Sequence, residues 1–201
     1  MTITDERPAS ETGFAAARRA MIDSQLRTSG VNEPWVLEAM NSVPREDYVP
    51  AAARAAAYID RAVPLGNGRF LAAPLVHGKV LAEAAPTAED RALIISASAG
   101  YLAALVKPLV GALDVRDVDD AGKPEQGAYS LILIDGAVEE LPEALAAALA
   151  EGGRIVGGLV ERGVTRLATG RKAAGEITWL PLAEIGIPVL PEFAAPRRWS
   201  F

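Results

Sequence analysis

The chain has 201 residues, half of them apolar and under a quarter charged, with a formal net charge of −6 and no cysteine. That length suits one medium domain with a full core. The missing cysteines exclude disulfides, thiolate nucleophiles and cysteine-ligated metals, and a single histidine, His77, excludes a multi-histidine metal site. The acidic balance, with no basic run longer than Arg197-Arg198, argues against counterion-driven binding to nucleic acid.

Residues 1–13 are polar and acidic, without the basic and apolar regions of a signal peptide. No apolar run reaches the ~18–20 residues that would span a bilayer. The expectation is a soluble cytoplasmic protein with no membrane partner, a flexible tail over 1–13 and one domain over 14–201. Within it, 14–74 is expected to be a helical part and 75–201 an α/β sheet.

Phe14, Ala17, Met21, Ile22 and Leu26 follow a helical repeat that Gly30 can stop. A second helix is predicted from Pro34 to Asn41, with proline suited to its first turn, and a short alanine-rich one over 51–58. Residues 60–73, with Pro64, Gly66 and Gly68, read as irregular. Leu75–Ala85 is predicted helical. Ala92-Leu93-Ile94-Ile95 is too short for a helix and reads as a buried strand. A small-residue turn, Ser96 to Gly100, leads into a helix over Tyr101–Lys107. Leu113–Val118 is a candidate strand, and Ser130–Asp135 (SLILID) is the clearest buried one. A helix over 141–150 and strands over 154–160, 164–169 and 176–182 complete the chain. Strands alternating with helices imply a mostly parallel sheet covered on both faces.

In such a sheet ligands lie beyond the carboxyl ends of the strands, so the exit of the first strand is the place to look. It carries serines and alanines where a nucleotide-type loop would use glycines to let backbone approach a ligand. Only Gly100 remains.

Short matches elsewhere are more specific. Met21-Ile22-Asp23-Ser24-Gln25-Leu26-Arg27, Val36-Leu37-Glu38-Ala39-Met40, Val43-Pro44-Arg45-Glu46, Val49-Pro50, Ala57-Tyr58-Ile59-Asp60 and Val63-Pro64-Leu65-Gly66 occur in this order. Gly100-Tyr101, the 129–137 segment and Leu149-Ala150-Glu151-Gly152-Gly153-Arg154 follow. Over most of residues 20–160 the chain resembles the protein-L-isoaspartate O-methyltransferases. The resemblance implies a Rossmann-like fold that uses S-adenosylmethionine to esterify isoaspartyl carboxylates in damaged proteins. It places Ser96, Ser98, Gly100, Asp117 and Asp135 on the donor side, and Pro64, Leu65, Gly66 and His77 on the substrate side.

The departures are local. The family loop has the form E-x-G-x-G-x-G-Y; here the acidic position is Ile94 and the first two glycines are Ser96 and Ser98. The family's Thr-x-Ser-x-Pro turn reads Phe70-Leu71-Ala72-Ala73-Pro74, with Ala72 at the serine position. Asp117 stands where an acid would grip the donor ribose if Leu113–Val118 is the second strand; the segment can equally be a remnant of the third.

Between Val118 and Ser130 the family has a helix and a strand, and this chain has eleven residues. If the flanking strands are parallel and two positions apart, the return path is ~22 Å. Eleven extended residues reach ~36 Å, but eleven helical ones only ~16 Å. The expectation is an extended link, a shortened sheet edge and one wall fewer around an adenine site, with Asp114, Arg116 and Asp117 guarding the edge strand.

Several of these residues also have plain structural readings. Asp135 can touch a ligand or cap the following helix. His77 has no evident partner to set its tautomer, Arg45-Glu46 reads as a surface or turn ion pair, and Asp119-Asp120 lack metal-loop spacing. Ser96 and Ser98 have no adjoining base that would make them nucleophiles. Two functions follow: an isoaspartyl methyltransferase of weak or lost activity, or a non-catalytic binding protein on the same fold.

Overall fold

The computed structural model describes residues 9–98, 100–120 and 124–195. The first helix, α1 (Ala9–Met21), begins inside the stretch expected to be a tail and runs through a π-helical turn at Ile22–Leu26. Residues 1–8 of that tail, and the Arg197-Arg198 pair, lie outside the described residues. Gly30, at φ 85°, closes this helical run. Helix α2 (Pro34–Ser42) starts on its proline and buries Val36, Leu37 and Met40.

The 60–73 stretch is not irregular. Strands β1 (Val63–Gly66) and β2 (Arg69–Leu71) pair antiparallel as a hairpin, with Gly66, Asn67 and Gly68 all at positive φ across the turn. Asparagine and glycine tolerate that conformation, so the turn residues specify the hairpin although its strands are too short to show periodicity. The N-terminal part is therefore helical with one β-ribbon.

Helix α3 (Pro74–Ala84) follows, then the main sheet. Its strands are β3 (Arg91–Ser96), β4 (Ala112–Asp117), β5 (Tyr129–Val138), β6 (Leu149–Glu161), β7 (Val164–Ala173) and β8 (Glu176–Glu184), in the spatial order β4-β3-β5-β6-β7-β8. The first four strands of that order are parallel, and β6, β7 and β8 form an antiparallel meander. Helices α4 (Tyr101–Val106) and α5 (Glu143–Ala148) complete the set.

The apolar runs arise because β3 and β5 are covered twice. Ala92, Ile94, Leu131 and Leu133 join the core shared with the N-terminal helices, whereas Leu93, Ile95, Ile132 and Ile134 join a smaller core with Leu145, Leu149 and Phe193. Strands buried on both faces lose polar alternation. Arg154 of β6 ties the layers, donating to the Ala84 carbonyl at 2.6 Å and pairing with Asp90 at 2.7 Å.

Strand β4 pairs directly with β3, Ile94 opposite Val115, which makes it the second strand and leaves it outermost. The link to β5 has one 3-10 turn, Val118–Asp120, and no α-helix among its described residues. Beyond β8, the chain returns to the sheet and docks on β5: Ala137 N–H donates to the Pro188 carbonyl and Leu190 N–H to the Ala137 carbonyl, each at 2.8 Å. Gly136 makes this possible, since a Cβ there would lie 2.5 Å from Leu190 Cγ. No helix among the described residues is long and apolar enough to cross a membrane.

Candidate functional site

The carboxyl ends of β3 and β5 are side by side, with Ser96 opposite Asp135. That register brings together side chains from three separate stretches of the chain. The Asp135 carboxylate accepts from Ser96 Oγ at 2.9 Å and Ser98 Oγ at 2.6 Å on Oδ2, and from His77 Nε2 at 3.0 Å on Oδ1. Its side chain is 2% exposed and that of His77 1%. On the far side of the ring, Arg45 Nη1 donates to His77 Nδ1 at 3.2 Å. Arg45 also donates to the carbonyls of Ala57 and Ala72, and its guanidinium stands over the Tyr101 ring at 4.9 Å.

These contacts set the protonation states. A guanidinium only donates, so His77 Nδ1 is the acceptor and Nε2 carries the proton given to Asp135. Burial holds the His77 pKa below its ordinary value despite the attraction of Asp135, so the ring is neutral at neutral pH. Burial pushes the Asp135 pKa up, but His77, Ser98 and Ser96 outweigh it and keep the carboxyl below its usual range. Both carboxylate oxygens are therefore engaged by protein groups.

The structure corrects several sequence expectations at this point. His77 does have a partner on each ring nitrogen. Asp135 lies within β5 and caps no helix. Arg45 is fully buried, not half of a surface pair; Glu46 instead pairs with Arg18 at 3.0 Å and accepts from the Tyr58 hydroxyl. Ser96 and Ser98 do meet a carboxylate. Arg45 lies in a motif quoted for the family, yet no local pattern marks an arginine for burial. Pairs such as His77–Asp135, 58 residues apart, leave no local trace.

The remaining site residues are elsewhere. Gly100, at φ 84°, turns the loop into α4. Ala72 is buried with its carbonyl on Arg45. Pro64, Leu65 and Gly66 belong to β1. Asp117, at the end of β4, accepts the Asp119 N–H at 2.9 Å and lies 3.9 Å from Arg69. Arg69, on the hairpin, reaches across to Asp119 at 2.6 Å and to Glu192 at 3.0 Å. Hairpin, second strand and C-terminal segment are thus joined by one guanidinium over this end of the sheet.

Beside it is a cleft of 770 Å³, lined mainly by apolar groups: Phe70, Leu75 and Val76 with Ile185, Ile187 and Val189. Asp60 and Arg61 are its charged members. His77, Pro64, Leu65 and Gly66 do not line it; the 185–189 segment, which carries no motif, does. No group of three or more potential metal ligands occurs among the described residues.

The buried tyrosines make alkaline stability a check on the network. The Tyr101 hydroxyl has no hydrogen-bond partner among the described residues, and burial pushes its pKa up to about 12, with Arg45 pulling it back only in part. A raised acid contributes stability that is complete below its unfolded value of about 10 and is lost as pH rises through the folded one. Tyr58 is shifted the same way by burial and Glu46. His77, shifted down, contributes stability present above about pH 6.5 and lost as pH falls toward its folded value. Thermal melts from pH 5 to 11 are expected to show falling midpoints at both ends; a midpoint rising through pH 10–11 contradicts the tyrosine environments.

A parallel sheet whose first strand exits into a loop and helix, with the second strand outermost and the next parallel strand on the first strand's other side, defines a Rossmann-like methyltransferase-type α/β domain. Two solved structures share it. A Plasmodium falciparum β-aspartate methyltransferase in complex with S-adenosyl-L-homocysteine has a TM-score of 0.69 at 21% identity, over 87% of this chain and 98% of that one. A protein-L-isoaspartate O-methyltransferase has a TM-score of 0.71 at 17% identity, over 88% of this chain and 67% of that one.

The family model of protein-L-isoaspartate(D-aspartate) O-methyltransferase matches residues 16–121, stopping in the short link after β4. Protein-L-isoaspartate O-methyltransferase 2 of Anaeromyxobacter sp. (strain Fw109-5) is 33% identical, over 69% of this chain and 68% of the relative. The Koribacter versatilis protein-L-isoaspartate O-methyltransferase is 31% identical, over 83% and 86% respectively. The chain belongs to the protein-L-isoaspartate O-methyltransferase family.

Proposed function

We propose that in this family member transfer of methyl groups from S-adenosylmethionine to isoaspartyl carboxylates is weak or lost, and that the chain serves as a cytoplasmic, non-catalytic binding protein for peptide segments. The observation that carries the reading is the closed network around Asp135. A methyl donor of this type has a cationic amino group that needs a carboxylate with a free oxygen. At the family's acidic loop position stands Ile94, 0% exposed. The nearby carboxylate, Asp135, already spends both oxygens on His77, Ser96 and Ser98. Asp117 is 59% exposed, its Oδ1 accepting the Asp119 amide 3.9 Å from Arg69, and one such carboxylate at the ribose side does not replace the missing acid of the loop. The residues present do not fit the donor.

The cleft supports the binding part of the proposal. Its walls from β2, α3 and the 185–189 segment suit an extended peptide with apolar side chains, and isoaspartyl-containing proteins are the family's class of partner. The enzyme reading is favoured by Gly100 keeping its left-handed turn and by Asp117 at the end of the second strand.

Transfer of a labelled methyl group to an isoaspartyl peptide separates the two. The expected result is no turnover above background, and no rescue by Ala72→Ser, because the donor side stays closed. A rate comparable with that of an intact family member defeats the proposal.

A further inference from the structure

The open edge of the sheet carries a charge pattern that is complementary to itself. Among the described residues strand β4 is outermost and pairs in the sheet with β3 alone. A cleft of 510 Å³ beside it is lined by Asp114, Val115 and Arg116 in succession, with Arg91, Glu125 and Tyr129. Consecutive strand residues point to opposite faces, so a cleft touching all three opens at the edge itself. Val115 is 50% exposed, in a strand whose neighbour β3 is buried from Ala92 to Ser96. An edge of unpaired N–H and C=O groups is a template for another strand.

The charges select which strand and which register. An antiparallel partner related by a two-fold axis at Val115 sets Val115 against its own copy, Asp114 against Arg116 and Arg116 against Asp114. With the axis at Asp114, aspartate meets aspartate; with it at Arg116, arginine meets arginine. An axis between two residues would oppose side chains on different faces of the sheet and is excluded by the pleat. In-register parallel pairing opposes like charges throughout. Like charges directly opposite destabilise a pair and unlike charges favour it.

Both groups are available. The Asp114 side chain is 47% exposed; its Oδ2 accepts from the Tyr129 hydroxyl at 2.7 Å and from Arg91 at 3.4 Å, while Oδ1 has no hydrogen bond among the described residues and is the oxygen left for a partner. Arg116 joins no ion pair among the described residues, although it lines the edge cleft. The same charges that guard the edge against most strands therefore admit one.

We propose that the β4 edge is an isologous interface for a second copy of this chain, the two sheets joining antiparallel about Val115. This holds whether or not the chain transfers methyl groups. A contact built on six-residue strands is at the small end of interface sizes, so a dissociation constant of about 1–100 μM is expected.

Sedimentation velocity of the full chain from about 1 to 500 μM spans that range and is expected to show a concentration-dependent dimer. Arg116→Asp, which sets aspartate against aspartate twice, is expected to weaken it by about tenfold or more. Combining Asp114→Arg with Arg116→Asp restores both opposite pairs and is expected to restore the dimer. Because Asp114 also holds Tyr129, Val115→Lys provides a second route, placing two ammonium groups on the axis; melting curves confirm that each variant is folded. A chain that stays monomeric throughout, leaving the edge to some other partner or to solvent, overturns the proposal. So does a dimer that withstands both Arg116→Asp and Val115→Lys.

Discussion

Asp135→Ala is expected to cost about 3–5 kcal/mol of folding stability, the range seen when one partner of a buried charged network is removed. The carboxylate accepts three hydrogen bonds from His77, Ser96 and Ser98 with 2% of its side chain exposed. Truncation leaves the His77 Nε2–H and two hydroxyls without their acceptor. It also removes a compensating anion for Arg45, which is 0% exposed and whose pKa burial already lowers. Glu46 cannot substitute, because it is occupied by Arg18 and Tyr58. Against a total stability of about 5–15 kcal/mol for a domain, such a loss is visible in urea unfolding as a large fall in midpoint. Asp135→Asn keeps an acceptor but not the charge and is expected to fall between the two. A loss below about 1 kcal/mol for the alanine variant is inconsistent with a buried charged acceptor.

S-adenosylmethionine and S-adenosylhomocysteine are expected to bind no better than millimolar. A hydrogen bond between a carboxylate and a cationic amino group contributes ~1.5–3 kcal/mol; Ile94 offers none, and Asp135 is 2% exposed and already accepts three hydrogen bonds from protein groups. The Cβ atoms and hydroxyls of Ser96 and Ser98 stand where glycines would let backbone approach, and the link after β4 provides no described α-helix to close an adenine site. Losing ~4 kcal/mol in total turns a micromolar site into a millimolar one, about a thousandfold. Asp117, engaged with Asp119 and 3.9 Å from Arg69, cannot make up that difference. Calorimetry on the unmodified chain with millimolar ligand is the measurement, and a clear micromolar dissociation constant returns the enzyme reading to first place.

Much of the architecture was legible in consecutive residues. SLILID and ALII announce strands covered on both faces because length and apolar continuity are local properties. The eleven-residue link excludes a crossover helix by reach alone, and the structure agrees, placing β4 as the second strand with only a 3-10 turn among the described residues after it. The hairpin β1–β2 escaped because its strands have four and three residues, too few for a period. Its signal was in the positive-φ turn, Gly66-Asn67-Gly68.

The site divides in the same way. Which residues replace the loop glycines and the acid is a matter of sequence, since each position is identified by its place in a contiguous motif. What those residues do was decided only by the tertiary structure. Parallel pairing of β3 with β5 sets Ser96 beside Asp135, α3 delivers His77 from 58 residues away, and Arg45 arrives from 32 residues before that histidine. Hydrogen-bond partners chosen across such distances depend on strand order and helix docking, neither of which has a local signature. Local periodicity therefore specified the elements, whereas burial and register converted an arginine, a histidine and two serines of ordinary appearance into a closed polar core.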